Sequence, residues 1–211
     1  MKFMFNECKN LNKIDLSSFN TSNVTDIEAI FQLCGNLYSL DLSSFNTKNV
    51  ANMKNMFRLC ENLSFLNISS FDTQKVTDLS GIFEGCENIT NTDLSNFNTQ
   101  NVINMRCMFN LCKKLNGIKL TSFNTHNVTN MEAMFQGCEN LNNLNLSSFN
   151  TKNVIIMKNM FNGCKNLKEL NISSFETQNI TDIIGIFQGC DENVIDSNIS
   201  KFERFDYNDL I

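Results

Sequence analysis

The apolar positions of this chain return in one fixed rhythm. Leu37, Leu40 and Leu42 end in period-2 alternation, which predicts a short strand with its leucines on one face. A polar stretch follows, Ser43-Ser44-Phe45-Asn46-Thr47-Lys48-Asn49, rich in turn formers. Val50, Met53, Met56, Phe57 and Cys60 then recur at steps of 3, 3, 1 and 3, a spacing that lines one side of a helix. Thr25 with Glu28, and Thr129 with Glu132, have the form of capping boxes at the helix start. Asn36, Asn62, Asn88, Asn140 and Asn166 stand where a left-handed residue would close the helix. The local prediction is therefore strand, turn and short helix.

The rhythm has a long period. Cysteines fall at 8, 34, 60, 86, 112, 138, 164 and 190, a step of 26 without slippage, and phenylalanines keep the same step from Phe5 to Phe187. A second phenylalanine column runs from Phe19 to Phe175 and continues at Phe202 after one inserted residue. Two columns in one register make the chain a tandem array of about eight units. A unit this small cannot bury its apolar stripe alone, so the units must stack and share one core. Strands pair at about 4.8 Å whereas packed helices need roughly 8–10 Å, so the strands should line a concave face. The expected fold is α/β: a right-handed leucine-rich-repeat solenoid, taken as one domain over 1–211 with a partial first unit at 1–8 and an irregular end at 191–211.

Here the residues carry a family resemblance. Leu-x-x-Leu-x-Leu matches the leucine-rich-repeat strand signature. Its continuation, Ser147-Ser148-Phe149-Asn150-Thr151-Lys152-Asn153-Val154 and then Met157, Met160, Phe161 and Cys164, resembles the 26-residue repeat of BspA-like leucine-rich-repeat surface proteins. The resemblance implies adhesion or recognition of a host or cell-surface protein, with no catalysis and no cofactor. It implies a cell-surface location and an export signal, while the opening Met1-Lys2-Phe3-Met4-Phe5 lacks the pattern of a secretory leader. Met1 falls in the methionine column of the helix, so the first unit starts midway, and its open edge predicts end-to-end self-association.

Composition narrows the chemistry. A formal charge of −5, with basic residues scattered singly, argues against nucleic acid as a partner. No apolar run approaches the roughly 18 residues of a membrane helix. The cysteine column reads as buried packing, with disulfides between stacked neighbours and a metal site as the alternatives. The single histidine, His126, occupies a turn position that other units fill with Ser22, Lys48 or Gln74, so it is read as solvated. Between the last two leucines of each unit runs a polar stripe that includes Asp15, Asp41, Asn67, Asp93 and Lys119. Tyr38 and Phe65 stand beside it, and an exposed aromatic next to acids is a natural anchor for a protein. The candidate partner-binding residues are Tyr38, Asp41, Phe65, Asn67, Asp15 and Asp93; a calcium ion on the acidic stripe and a purely structural spacer role stand as alternatives.

Overall fold

The computed structural model describes residues 1–211. The units stack in parallel, each offset from the next by one repeat. Strand β1 (Ser39–Asp41) pairs with β2 (Phe65–Asn67) in the register Ser39↔Phe65, and β3 (Asn143–Asn145) pairs with β4 (Glu169–Asn171) in the register Asn143↔Glu169. An isolated bridge Lys13↔Ser39 carries the first ladder one rung further. The chain is a leucine-rich-repeat solenoid built around one continuous buried cluster that runs from Leu16 to Leu210.

The repeating helix is a misreading, and so is the α/β class for the units. Residues 50–60 contain no helix; their main chain instead faces the next unit. The N–H groups of Ile27, Ala29, Phe31 and Leu33 donate to the carbonyls of Asn52, Lys54, Met56 and Arg58, one unit on. The intervening Ile30, Gln32 and Cys34 donate back three residues, closing successive tight turns. Ala29 and Leu33, third in the turns 27–30 and 31–34, have φ of +52° and +62°, as a type II turn demands. Turns repeated every four residues bring side chains inward at nearly the helical period, so apolar spacing could not separate the two. The signal lay elsewhere. Ala29, Asn55, Gly81, Cys107, Ala133, Asn159 and Gly185 all adopt positive φ, which explains why this position excludes β-branched residues.

Two further expectations fall with the helix. Thr25/Glu28 and Thr129/Glu132 cap nothing: Asp26 and Asn130 accept the N–H groups of Glu28 and Glu132 on their own Oδ1 atoms. Asn62, Asn88 and Asn166 keep ordinary φ and donate side-chain N–H bonds to Gly35, Glu61 and Glu139 in the preceding unit. Curvature also loses its source. The turn side is itself a ladder, bridged Asp26↔Asn52↔Asp78↔Asn104↔Asn130↔Ile156↔Asp182, so both sides repeat at hydrogen-bond spacing and the helix–strand spacing difference is absent.

Conserving the same residue in every rung lets each side chain serve its neighbour. The buried Thr47 Oγ1 donates to the Asp72 carbonyl at 2.9 Å and accepts the Asp72 N–H at 2.8 Å; Thr21, Thr99, Thr125 and Thr151 do the same one unit on. Cysteine thiols donate to phenylalanine carbonyls of the preceding unit, as from Cys60 to Phe31 at 3.1 Å. All nine cysteines are free, and desolvation pushes the Cys138 thiol up to about 12. Phe5, Phe31, Phe57, Phe83, Phe109, Phe135, Phe161 and Phe187 form one uninterrupted stack, with successive ring centroids 5.4–6.1 Å apart.

The only helices lie past Cys190: α1 (Glu192–Asn198), a 3-10 turn (Ile199–Phe202) and α2 (Tyr207–Leu210). They cover the last unit. Carbonyls of Asp209 and Leu210 accept the N–H groups of Gly185 and Phe187, replacing the rung that another unit would supply. The Arg204 guanidinium donates to the carbonyls of Thr177, Gln178 and Ile180. Phe202 follows the second phenylalanine column after one inserted residue. It meets Phe187 of the first column edge-on at 5.6 Å and ends that stack.

Two substitutions test this account by urea denaturation. Gly85 (φ +71°) and Gly163 (φ +73°) share a backbone conformation, but an added methyl at Gly85 would lie 2.6 Å from Leu59 Cδ2 whereas at Gly163 its nearest neighbours are at 3.6 Å. Gly163→Ala is expected to cost about 1 kcal/mol of backbone strain, and Gly85→Ala measurably more. Thr99→Val keeps the shape but strips Asn124 of both main-chain partners, and is expected to cost about 1–3 kcal/mol.

Candidate functional site

The strand face carries every residue singled out as a partner contact. Its polar stripe exists for a local reason. Asp15 Oδ1 accepts the Ser17 N–H at 2.9 Å, Asp41 Oδ1 that of Ser43 at 2.9 Å, Asn67 Oδ1 that of Ser69 at 3.2 Å and Asp93 Oδ1 that of Ser95 at 3.0 Å. Asn145 and Asn171 repeat the contact, so the stripe is a row of Asx turns that bends each strand into its corner. Two other corners use the same device, at Asn20, Asn46 and Asp72 and at Asp26, Asn52 and Asp78. This accounts for much of the asparagine excess. The N–H bonds from Ser17, Ser43 and Ser95 hold the carboxyls of Asp15, Asp41 and Asp93 below the usual carboxylate range.

The six residues do not form one site. Asp15, Asp41 and Phe65 line a common groove of about 420 Å³, together with Lys13, Ser39 and Ser43. Phe65 is 55% exposed, and Ser39, paired beside it on β1, is too small to cover it. Tyr38 is 51% exposed but stands outside that groove, its carbonyl accepting the N–H groups of Ser64 and Phe65. Asn67 continues the row of Asx turns one rung beyond Asp41, without a charge. Asp93 lies in a separate cleft of about 710 Å³ with Lys119, whose charge adds to the lowering of its carboxyl.

That second cleft was not anticipated. The strand ladder stops after β2 and resumes at β3; across the intervening rungs the single main-chain bond is from Asn116 to Thr90 at 3.4 Å. Here Thr92 replaces the usual leucine, and Gly117 takes a position where strands favour larger or β-branched residues. Those two departures from the repeat were visible in the sequence. Nowhere on the molecule do three His, Cys, Asp or Glu side chains converge as a metal would require, and no helix is long and apolar enough to cross a membrane.

A family profile described as "Mycoplasma protein of unknown function, DUF285" matches residues 1–119, 55–165 and 111–209. No curated protein sequence matches the chain. Among solved structures, the T. pallidum leucine-rich-repeat protein is 18% identical, with a TM-score of 0.54 over 88% of this chain and 79% of that one. A leucine-rich-repeat protein from Bacteroides ovatus is 16% identical, covering 81% of this chain and 57% of that one at a TM-score of 0.37. A leucine-rich cell-surface protein from Faecalibacterium prausnitzii is 16% identical over 79% of this chain and 62% of that one, with a TM-score of 0.26. At such identities the likeness concerns the fold, and the T. pallidum structure carries it. In fold, the resemblance to BspA-like leucine-rich-repeat proteins holds.

The carboxylates of the Asx turns give a pH test. A group whose folded pKa is depressed stabilises the fold above its unfolded value near 3.9, and that contribution disappears as pH falls through the folded value. Asparagine makes the same turn at Asn67, Asn145 and Asn171, so the triple variant D15N/D41N/D93N is expected to fold at pH 7. Below about pH 4 its melting temperature should fall less steeply than that of the wild type. Parallel slopes in thermal melts would show that these contacts do not contribute.

Proposed function

Because the chain belongs to the DUF285 family, whose description assigns no activity, and folds as a leucine-rich-repeat solenoid, we propose that it is a non-catalytic recognition module that binds a protein partner, at a cell surface, through its strand face. One observation carries this reading. Two large aromatics, Tyr38 and Phe65, are held half-exposed on a hydrogen-bonded sheet, while the phenylalanines of the core columns from Phe31 to Phe187 are buried. A fixed aromatic loses little freedom on binding and excludes much water, which is why such residues dominate interfaces. Tyr38, Asp41, Phe65, Asn67, Asp15 and Asp93 are the proposed contacts, with Phe65 and Tyr38 as anchors. The same geometry serves a structural spacer only if no face is selective.

Immobilised chain should capture surface-labelled proteins from intact cells, and Y38A/F65A should weaken that capture by roughly 30-fold, as expected when an interface anchor is removed. Ile103 and Ile155, 49% and 45% exposed on the turn side, supply the control. Equal capture by Y38A/F65A, I103A/I155A and the wild type would favour the spacer.

A further inference from the structure

The sheet of β3 and β4 ends in an edge that no further strand closes. Glu169 donates its N–H to the Asn142 carbonyl at 3.2 Å, and the Asn171 carbonyl accepts the Leu146 N–H at 2.9 Å. Glu169 and Asn171 thus turn their main chain toward β3, and the intervening Leu170 turns its N–H and carbonyl the opposite way, toward α1. The Lys168 carbonyl and the Ile172 N–H face the same side, and none of these four groups has a partner in the protein. One unit earlier the equivalent Asn142 carbonyl and Leu146 N–H are both bonded. Ile172 is buried, and a buried N–H without a partner is rare in folded proteins.

The missing rung leaves a space of its own size and chemistry. The stretch of sequence that would form the next strand is taken up by α1, whose Val194, Ser197 and Asn198 face β4 across a groove of about 410 Å³. Leu144 is buried, whereas Leu170, its counterpart one rung on, is only partly covered. On the opposite wall Asn198 is 7% exposed; its Nδ2 donates to the Val194 carbonyl at 2.9 Å and its Oδ1 accepts no hydrogen bond. We propose that this groove binds an extended peptide of a protein partner, which adds to β4 as a further parallel rung and sets an aliphatic side chain over Leu170. Peptide main chain supplies alternating donors and acceptors at strand spacing, which is what the edge lacks and what no single ion can match. Leu170 and Val194 give the aliphatic side chain an apolar seat, and the Asn198 Oδ1 offers an acceptor to the peptide's outer edge. An open edge invites indiscriminate pairing; the helix standing across this one restricts entry to a single strand.

The groove lies at the other end of the array from Tyr38 and Phe65, so the two surfaces are tested apart. A fluorescein-labelled peptide copying residues 141–147, Leu-Asn-Asn-Leu-Asn-Leu-Ser, has the sequence of a rung and is titrated against the full chain by fluorescence anisotropy. Saturating peptide is expected to slow amide exchange at Leu170 and Ile172 at least ~10-fold, followed residue by residue by NMR. The same peptide N-methylated at its third and fifth residues lacks the N–H groups that would meet the Lys168 and Leu170 carbonyls, and should bind at least ~10-fold more weakly. Ser197→Trp fills the groove from an exposed position of α1 and should weaken the unmodified peptide by a similar factor, with thermal melts verifying the fold. Y38A/F65A should change its affinity less than about twofold. Absence of binding, equal binding of the N-methylated peptide, unchanged exchange at Leu170 and Ile172, or full affinity in S197W would overturn the assignment. Should Y38A/F65A abolish peptide binding, the peptide occupies the aromatic face instead, and this groove falls while the proposed recognition surface stands.

Discussion

The structure depends on hydrogen bonds that each unit makes to its neighbours. In the turn segment every second N–H, such as those of Ala29, Phe31 and Leu33, leaves its own unit to meet a carbonyl of the next. A single unit would leave those groups, its leucines and its phenylalanine without partners, so the units fold as a stack. The same rule governs the side chains. Threonine, asparagine and cysteine are tolerated in or beside the core because each bonds to main chain one rung away. A column of identical residues thus replaces the varied jigsaw of an ordinary core.

This scaffold leaves the strand face comparatively free. Register is set by the turn ladder, which bridges seven successive rungs from Asp26 to Asp182, and by the buried threonines. The strands can therefore lapse at Asn91–Asp93 and Gly117–Lys119 without interrupting the core, where Leu94, Phe97, Leu120 and Phe123 stay buried. A rigid frame with a face relieved of structural duty is the arrangement that a recognition module needs. Phe65 sits on the well-paired part of that face, in the groove that Asp15 and Asp41 also line.

The repeat shows how far sequence reasoning reaches. The cysteine and phenylalanine columns were legible because a step of 26 residues leaves few alternatives. The helix was wrongly read because stacked turns and a helix bring side chains inward at nearly the same spacing. The contradictory sign was present in Gly81, Gly85, Gly137 and Asn55, which suit positive φ and weaken a helix. Leu33, Leu59 and Leu111 hid it, since leucine seldom adopts that conformation and its strain is accepted only within the ladder. Likewise the Asp15–Asp41–Asn67 stripe was recognisable as a polar row, but its Asx bonds and its separation from Asp93 depend on where each corner turns.

By itself, then, the sequence determined the length of the repeat, the parallel stacking of units, the identity of the core columns and the location of a polar face. These follow from which residues must be hidden and how often they recur. Tertiary structure alone decided that the turn side is a hydrogen-bonded ladder, that the helices are confined to 192–210, and that Asp15, Asp41 and Phe65 share a groove while Tyr38 and Asp93 lie apart. The physical reason is that apolar periodicity reports only burial. The partner of each N–H and carbonyl is chosen by the neighbouring unit, which no single repeat contains.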